Sequence, residues 1–400
     1  MSPLESSTKP LFFGVANANE LELVPPPDRK GDSLRTWVRA LSGSEFQKEA
    51  LVASSRTGKV WRLASDEGPY LNGADAAPCP LSLLTVGMVS STMNEIIALA
   101  KARNIAVRNI RLTQDNTYTM EGSLARGSMT GGALPVDLGV EIDCGADESA
   151  LNDLLHSAVA ASPLNGLMRG VHASQFTLTH NGKALAPGRV KPIGRSPEPD
   201  PLDRFDRAKP AAGDWSELIA RKGVTPRTEE ATGGQGSSLS EHQSRRLHVR
   251  GVCTLRTDGI KEIRQLLYNP RGSIFHFLSE EAPANGGQGR APDANSYVSA
   301  GIAFCFMTQA GRYAKILKKD LRGYRVVQDT HFSLGGASGG TGEPGAADPV
   351  ETHLYVDSSE DEGFARGVLD MSEQTCFLHA FCRTDLKTKI RVRPFAVEMT

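Results

Sequence analysis

Six cysteines are spread along the 400 residues, and two of them invite a chemical reading. Cys305 falls in the first half of a long apolar stretch, and Cys376 lies in a later helical segment, EQTCFLHAFCR. A thiolate can attack an electrophile, and a second thiol within reach can close a disulfide with it. A lone Cys on an apolar helix more often serves as a small hydrophobe. The asymmetry of the chain argues for more than that here.

The chain repeats itself. Residues 58–69 read GKVWRLASDEGP and residues 272–283 read GSIFHFLSEEAP, a shift of 214. At that shift Gly87 meets Gly301, Asp143 meets Asp357, and Asp147-Glu148 meets Asp361-Glu362. Lys48-Glu49 meets Lys261-Glu262 at 213. Cys305 and Cys376 then fall opposite Ser91 and Ser162. The reading is a tandem duplication with a thiol pair in the second copy and hydroxyls in the first, one working site and one degenerate one.

Each copy must supply the elements that position those groups. Alternating apolar stretches predict strands over 34–41 and 59–64, then over 247–255 and 273–278. The stretches 81–103 and 297–320 predict a buried central helix in each copy, with a basic end that suits the helix dipole. Strands over 107–112, 118–124 and 324–330 follow. Acidic pairs at 147–148 and 361–362 open an amphipathic helix, and strands 175–179 and 389–393 close each copy. The fold expectation is α+β, with a sheet packed on a long apolar helix in each copy. The boundaries are an N-terminal extension 1–30, a first domain 31–185, a Pro/Gly/Ser-rich linker 186–244, and a second domain 245–400. Within the linker, residues 214–219 suggest a short docking helix, and Trp215 a cap on a domain surface.

Composition narrows the partners. Lys and Arg number 45 against 46 Asp and Glu, which argues against nucleic acid or an anionic membrane as a partner. Residues 1–20 lack a basic then apolar signal pattern, and no window approaches 18 consecutive apolar residues, so the expectation is a cytoplasmic chain with reduced thiols and no membrane span. No Walker loop, GxGxxG or GxSxG elbow is present, and the glycine runs 233–236 and 335–342 read as loops.

The arrangement of SAGIAFCFM and QTCFLHA resembles the osmotically inducible protein C and organic hydroperoxide resistance (OsmC/Ohr) superfamily. The two cysteines are 71 residues apart (376 − 305), close to the family spacing. The resemblance implies two OsmC-like domains forming an intramolecular pseudo-dimer, and a peroxiredoxin-like thiol peroxidase acting against oxidative stress. Cys305 would be the peroxidatic thiol and Cys376 the resolving one. The resemblance implies no bound cofactor. An external dithiol or lipoyl reductant would regenerate the pair, the substrate would be small and apolar, and further homo-oligomerisation stays open.

The family sets an Arg, held by a Glu, beside its thiolate. Ser296 stands nine residues before Cys305, where the family has that Glu, and Asp293 is out of register. Arg256, Arg271, Arg39, Arg56 and Arg62 are candidate cations, but Arg250 leads, because its VRG segment matches the VRA segment of Arg39. His379, three residues after Cys376, is a candidate base, and His276 is a weaker one. Ser296, Tyr297, Phe304 and Phe377 are the candidate substrate contacts. Two other functions remain open: a Cys-nucleophile hydrolase or dehalogenase on a small apolar electrophile, and a non-catalytic small-molecule binder. The Cys376, His379 and Cys382 spacing does not make a zinc site. Cys79 reads as a turn residue beside a pocket, and Cys144 and Cys253 as core or surface residues.

Overall fold

The computed structural model describes residues 2–44, 46–227, 237–336 and 338–396. The glycine run 233–236 lies outside the described residues. The architecture is α+β, with two sheets and seven α-helices among the described residues.

The first half opens with strands Gly31–Ala40, Lys48–Ser54 and Val60–Ser65. Helix α1 (Pro80–Ala102) follows, then strands Val107–Ser123, Thr130–Ala133 and Val136–Cys144. Helices α2 (Glu148–Ala161) and α3 (Pro163–Gly166) precede strand Gln175–His180. Helix α4 (Arg204–Arg207) lies in the connecting segment. The second half runs in the same order: strands His242–Leu255, Lys261–Asn269 and Ser273–Ser279, helix α5 (Ala294–Leu317), strands Gly323–Ser333, Ala346–Ala347 and Glu351–Asp357. Helices α6 (Glu362–Thr375) and α7 (Phe377–Arg383) and strand Thr388–Pro394 complete it. Asp147 and Asp361 cap α2 and α6 as their position predicts, accepting from Ala150 N and Phe364 N at 2.8 Å.

Neither half builds a sheet alone. Gly31–Ala40 pairs with Gly323–Ser333, which pairs with Glu351–Asp357 and through it with Gln175–His180. In the other sheet His242–Leu255 pairs with Val107–Ser123, which pairs with Val136–Cys144 and through it with Thr388–Pro394. The two long helices pack on each other between the sheets, α5 on the first and α1 on the second. Two glycines make their approach close. A Cβ on Gly87 would stand 2.5 Å from Val298 Cγ2, and one on Gly301 would stand 3.1 Å from Leu84 N. Helix α1 is long and apolar enough to cross a membrane, but 78% of its apolar window is buried inside the protein. It is the core of a two-sheet sandwich.

Two expectations differ. The stretches 107–112 and 118–124 are one strand of 17 residues. The polar run that suggested a break is absorbed inside, where Gln114 Nε2 donates to Asn116 Oδ1 at 2.8 Å. Residues 214–219 form no helix. Ile219–Val224 instead adds an edge strand to Ser273–Ser279, and Trp215 packs edge-on against Trp61 at 5.8 Å. The connecting segment also lies along the outer face of the first sheet, where Asp200 pairs with Arg325, Asp206 with Arg39 and Glu198 with Arg35.

Candidate functional site

Cys305 and Cys376 come together. Cys305 sits mid-way along α5, Cys376 at the joint between α6 and α7, and both are buried. The Cys376 side chain lies near enough to act on the Cys305 thiol. Cys376 is the N-cap of α7, and its Sγ accepts from the His379 N–H at 3.4 Å. The Leu378 N–H acts on the Cys305 sulfur. Burial pushes the Cys305 thiol well above its ordinary value, and Cys376 pushes the same way. The Leu378 N–H opposes both.

Two of the charged groups beside the thiols, Lys48 and Glu67, come from the other half of the chain. Thr308 lies one turn beyond Cys305 on α5. Its hydroxyl accepts from Lys48 Nζ at 2.9 Å and donates to Glu67 Oε1 at 2.7 Å. Tyr70 donates to Glu67 Oε2 at 2.7 Å. Burial lowers the affinity of Lys48 for its proton and raises that of Glu67, while each partly offsets the shift of the other. Arg245 and Arg312 line the same cavity with Cys79 and Phe377. Burial pulls Arg312 down to about 9 and Arg245 to about 10, so both guanidiniums are held against a substantial desolvation cost.

This cavity is small. It holds about 30 Å³, room for a water or two. Residues 237–240 are tied to its lining: Arg312 Nε donates to Ser238 O at 2.5 Å, Arg245 hydrogen-bonds Ser238 Oγ, and Ser238 N donates to Tyr70 O at 3.1 Å.

Several expected site residues lie elsewhere. Arg250 is on the outer face of its strand, because alternation turns its neighbours Val249 and Gly251 toward α1. There it grips Asp115 with Nε at 2.8 Å and Nη2 at 3.0 Å, and it lies over the Tyr268 ring. Its counterpart by register is Arg35, which grips Asp329 with Nε and Nη2 at 2.7 Å, and not Arg39. His379 offers its backbone, not its ring. The imidazole packs between Phe176 and Phe306 with neither nitrogen hydrogen-bonded among the described residues, and burial lowers it to about 4. Ser296 and Tyr297 lie at the N-terminal end of α5, more than two turns before Cys305. Ser296 N donates to the cap Asp293 at 2.7 Å, and Tyr297 OH donates to Leu278 O at 2.6 Å. Phe304 is core packing, and of the four expected contacts only Phe377 lines the cavity.

The hydroxyl pair occupies the matching place. Ser91 Oγ and Ser162 Oγ are 2.8 Å apart, and Ser162 caps α3 by accepting from Asn165 N at 3.3 Å. The polar frame recurs as well. Lys261 Nζ donates to Asn94 Oδ1 at 2.6 Å, and Asn94 hydrogen-bonds Glu281. Lys48, Thr308 and Glu67 in one site thus match Lys261, Asn94 and Glu281 in the other. Sequence reasoning held the sign of this: the anchors Lys48/Lys261 and Glu67/Glu281 recur at 213 and 214.

Comparison with solved structures finds one likeness to report. An OsmC-like hydroperoxide resistance protein from Jannaschia sp. CCS1 matches at 19% identity and a TM-score of 0.21, over 33% of this chain and 83% of that one. No family model and no curated protein matches the chain. Among the described residues no group of three or more His, Cys, Asp or Glu is arranged to hold a metal ion.

Proposed function

We infer that the protein is a thiol-dependent hydroperoxide reductase, built from two related halves, 31–185 and 245–400, that act as an intramolecular pseudo-dimer of OsmC-like units. The observation that carries this is that Cys305 and Cys376, both buried, lie near enough to act on each other beside groups from the opposite half. The Cys305 thiolate attacks the O–O bond of an organic hydroperoxide. The alcohol leaves with a proton, and Cys305 becomes a sulfenic acid. The Cys376 thiol displaces water from that sulfur and closes the disulfide. An external dithiol, lipoyl groups included, then takes the disulfide by exchange and is itself oxidised.

Lys48 is the cation near enough to favour the thiolate, with Arg245 and Arg312 lining the same cavity, in place of Arg250. Glu67 orients Thr308 and Tyr70 around the sulfur. In so small a cavity the thiol is neutral and an organic peroxide has no room, so turnover requires the cavity to widen. A hydrolase built on Cys305 would need a base, and the imidazole of His379 is neutral and walled in by phenylalanine.

The test is one equivalent of cumene hydroperoxide on the reduced protein, followed by thiol mapping by mass spectrometry. The expected product is a Cys305–Cys376 disulfide. Two free thiols at these positions would overturn the reading.

A further inference from the structure

The Lys261, Asn94 and Glu281 frame opens onto space that the thiol site lacks. A cleft of about 550 Å³ lies between the C-terminal half of α1, the turn before Lys261 and the loop after Ser273–Ser279. That is within the size range of small-molecule pockets. Its openness has a cause in three positions. Arg312, Tyr70 and Leu71 fill the thiol side, whereas Ala98, Ala284 and Asn285 stand 214 residues away at the matching places.

Each wall carboxylate has an arginine: Glu280 with Arg290 at 2.5 Å, Glu281 with Arg56 at 3.3 Å, and Asp258 with Arg256 and Arg290 at 3.1 Å. Lys101 lines the same cleft with no carboxylate at ion-pair distance among the described residues, and Lys261, buried with its Nζ on Asn94, is only partly offset by Glu281 and Glu280. Met93, Ile97 and Leu255 supply an apolar wall beside them. The carbonyls ending α1 work against an anion here, and Lys101 in the last turn offsets them.

We propose that this cleft binds an apolar-chain monocarboxylate, its head between Lys101 and Lys261 and its chain along Met93, Ile97 and Leu255. The site is separate from the thiols, and its occupancy does not depend on their chemistry. The probe is decanoate, titrated into the full-length protein by calorimetry, with decanol as the uncharged control. Decanoate binds saturably, and decanol binds about tenfold more weakly, the equivalent of about 1.4 kcal/mol. Lys101→Glu, at an exposed position, weakens decanoate by roughly tenfold or more. Ala98→Arg fills the cleft as Arg312 fills the other side, and it abolishes binding. Absence of saturable decanoate binding, equal affinity for decanol, or unchanged affinity in Lys101→Glu would each overturn the proposal.

Discussion

Ser91 Oγ lies 2.8 Å from Ser162 Oγ, on the same helix and cap positions that Cys305 and Cys376 hold in the other half. Two atoms that close in a buried setting need little movement to be joined by a disulfide. The double substitution Ser91→Cys with Ser162→Cys should therefore give a second oxidisable pair. Under hydroperoxide it loses four thiols where the parent loses two, read by thiol titration and peptide mapping. Loss of only two would mean that proximity alone, without the Lys48 and Arg312 surroundings, does not confer reactivity.

Arg250 and Lys48 separate a surface ion pair from the thiol surroundings. Arg250→Gln breaks a partly exposed pair with Asp115 and costs less than about 1 kcal/mol. Its rate of thiol oxidation stays within about twofold of the parent by the same partly exposed placement. Lys48→Met removes a fully buried ammonium from Thr308 and Glu67. It lowers the unfolding free energy by about 3 kcal/mol and slows oxidation of Cys305. Urea melts and stopped-flow thiol consumption measure both.

Helix approach at the centre tolerates no side chain at Gly87. Gly87→Val would drive its methyls into Val298 and Ala294 O and costs about 3 kcal/mol. A melting temperature unchanged from the parent would contradict the crossing geometry.

His379 sets an acid limit on stability. Its ordinary value is 6.5 and burial lowers it to about 4. The unfolded chain therefore binds more protons than the folded one between those values, so stability falls as pH drops from 6.5 toward 4. The loss is at most about 3 kcal/mol. His379→Phe keeps the ring packing against Phe176 and Phe306 and should flatten that part of the stability–pH curve. A curve as steep as the parent's would assign the acid sensitivity to other groups.

The two cysteines and their serine counterparts were legible because a fixed shift of 214 pairs positions whatever the fold. The two long helices were legible because an apolar face all round admits only a buried helix. Arg250 misled because a VRG segment matches a VRA segment by letter, while the strand pairing matches it to Arg35. The alternation of Leu247, Val249 and Gly251 already turned it outward. Lys48 and Glu67 were in view only as repeat anchors. What brings them to Cys305 is strand exchange between halves, and no local pattern carries that. The contacts of Arg312 and Arg245 with Ser238 are likewise long-range and have no periodic trace.

The exchange of strands also sets a timetable for synthesis. Thr36 finds its cross-strand neighbour at Gln328, 292 residues later (328 − 36). At about 5–20 residues per second, the N-terminal strands wait roughly 15–60 s before that partner leaves the ribosome. Until then Gly31–Ala40 presents an unpaired edge of the kind that other chains can add to. Folding unit by unit from the N-terminus cannot complete either sheet, so both halves must be synthesised before either sheet can close.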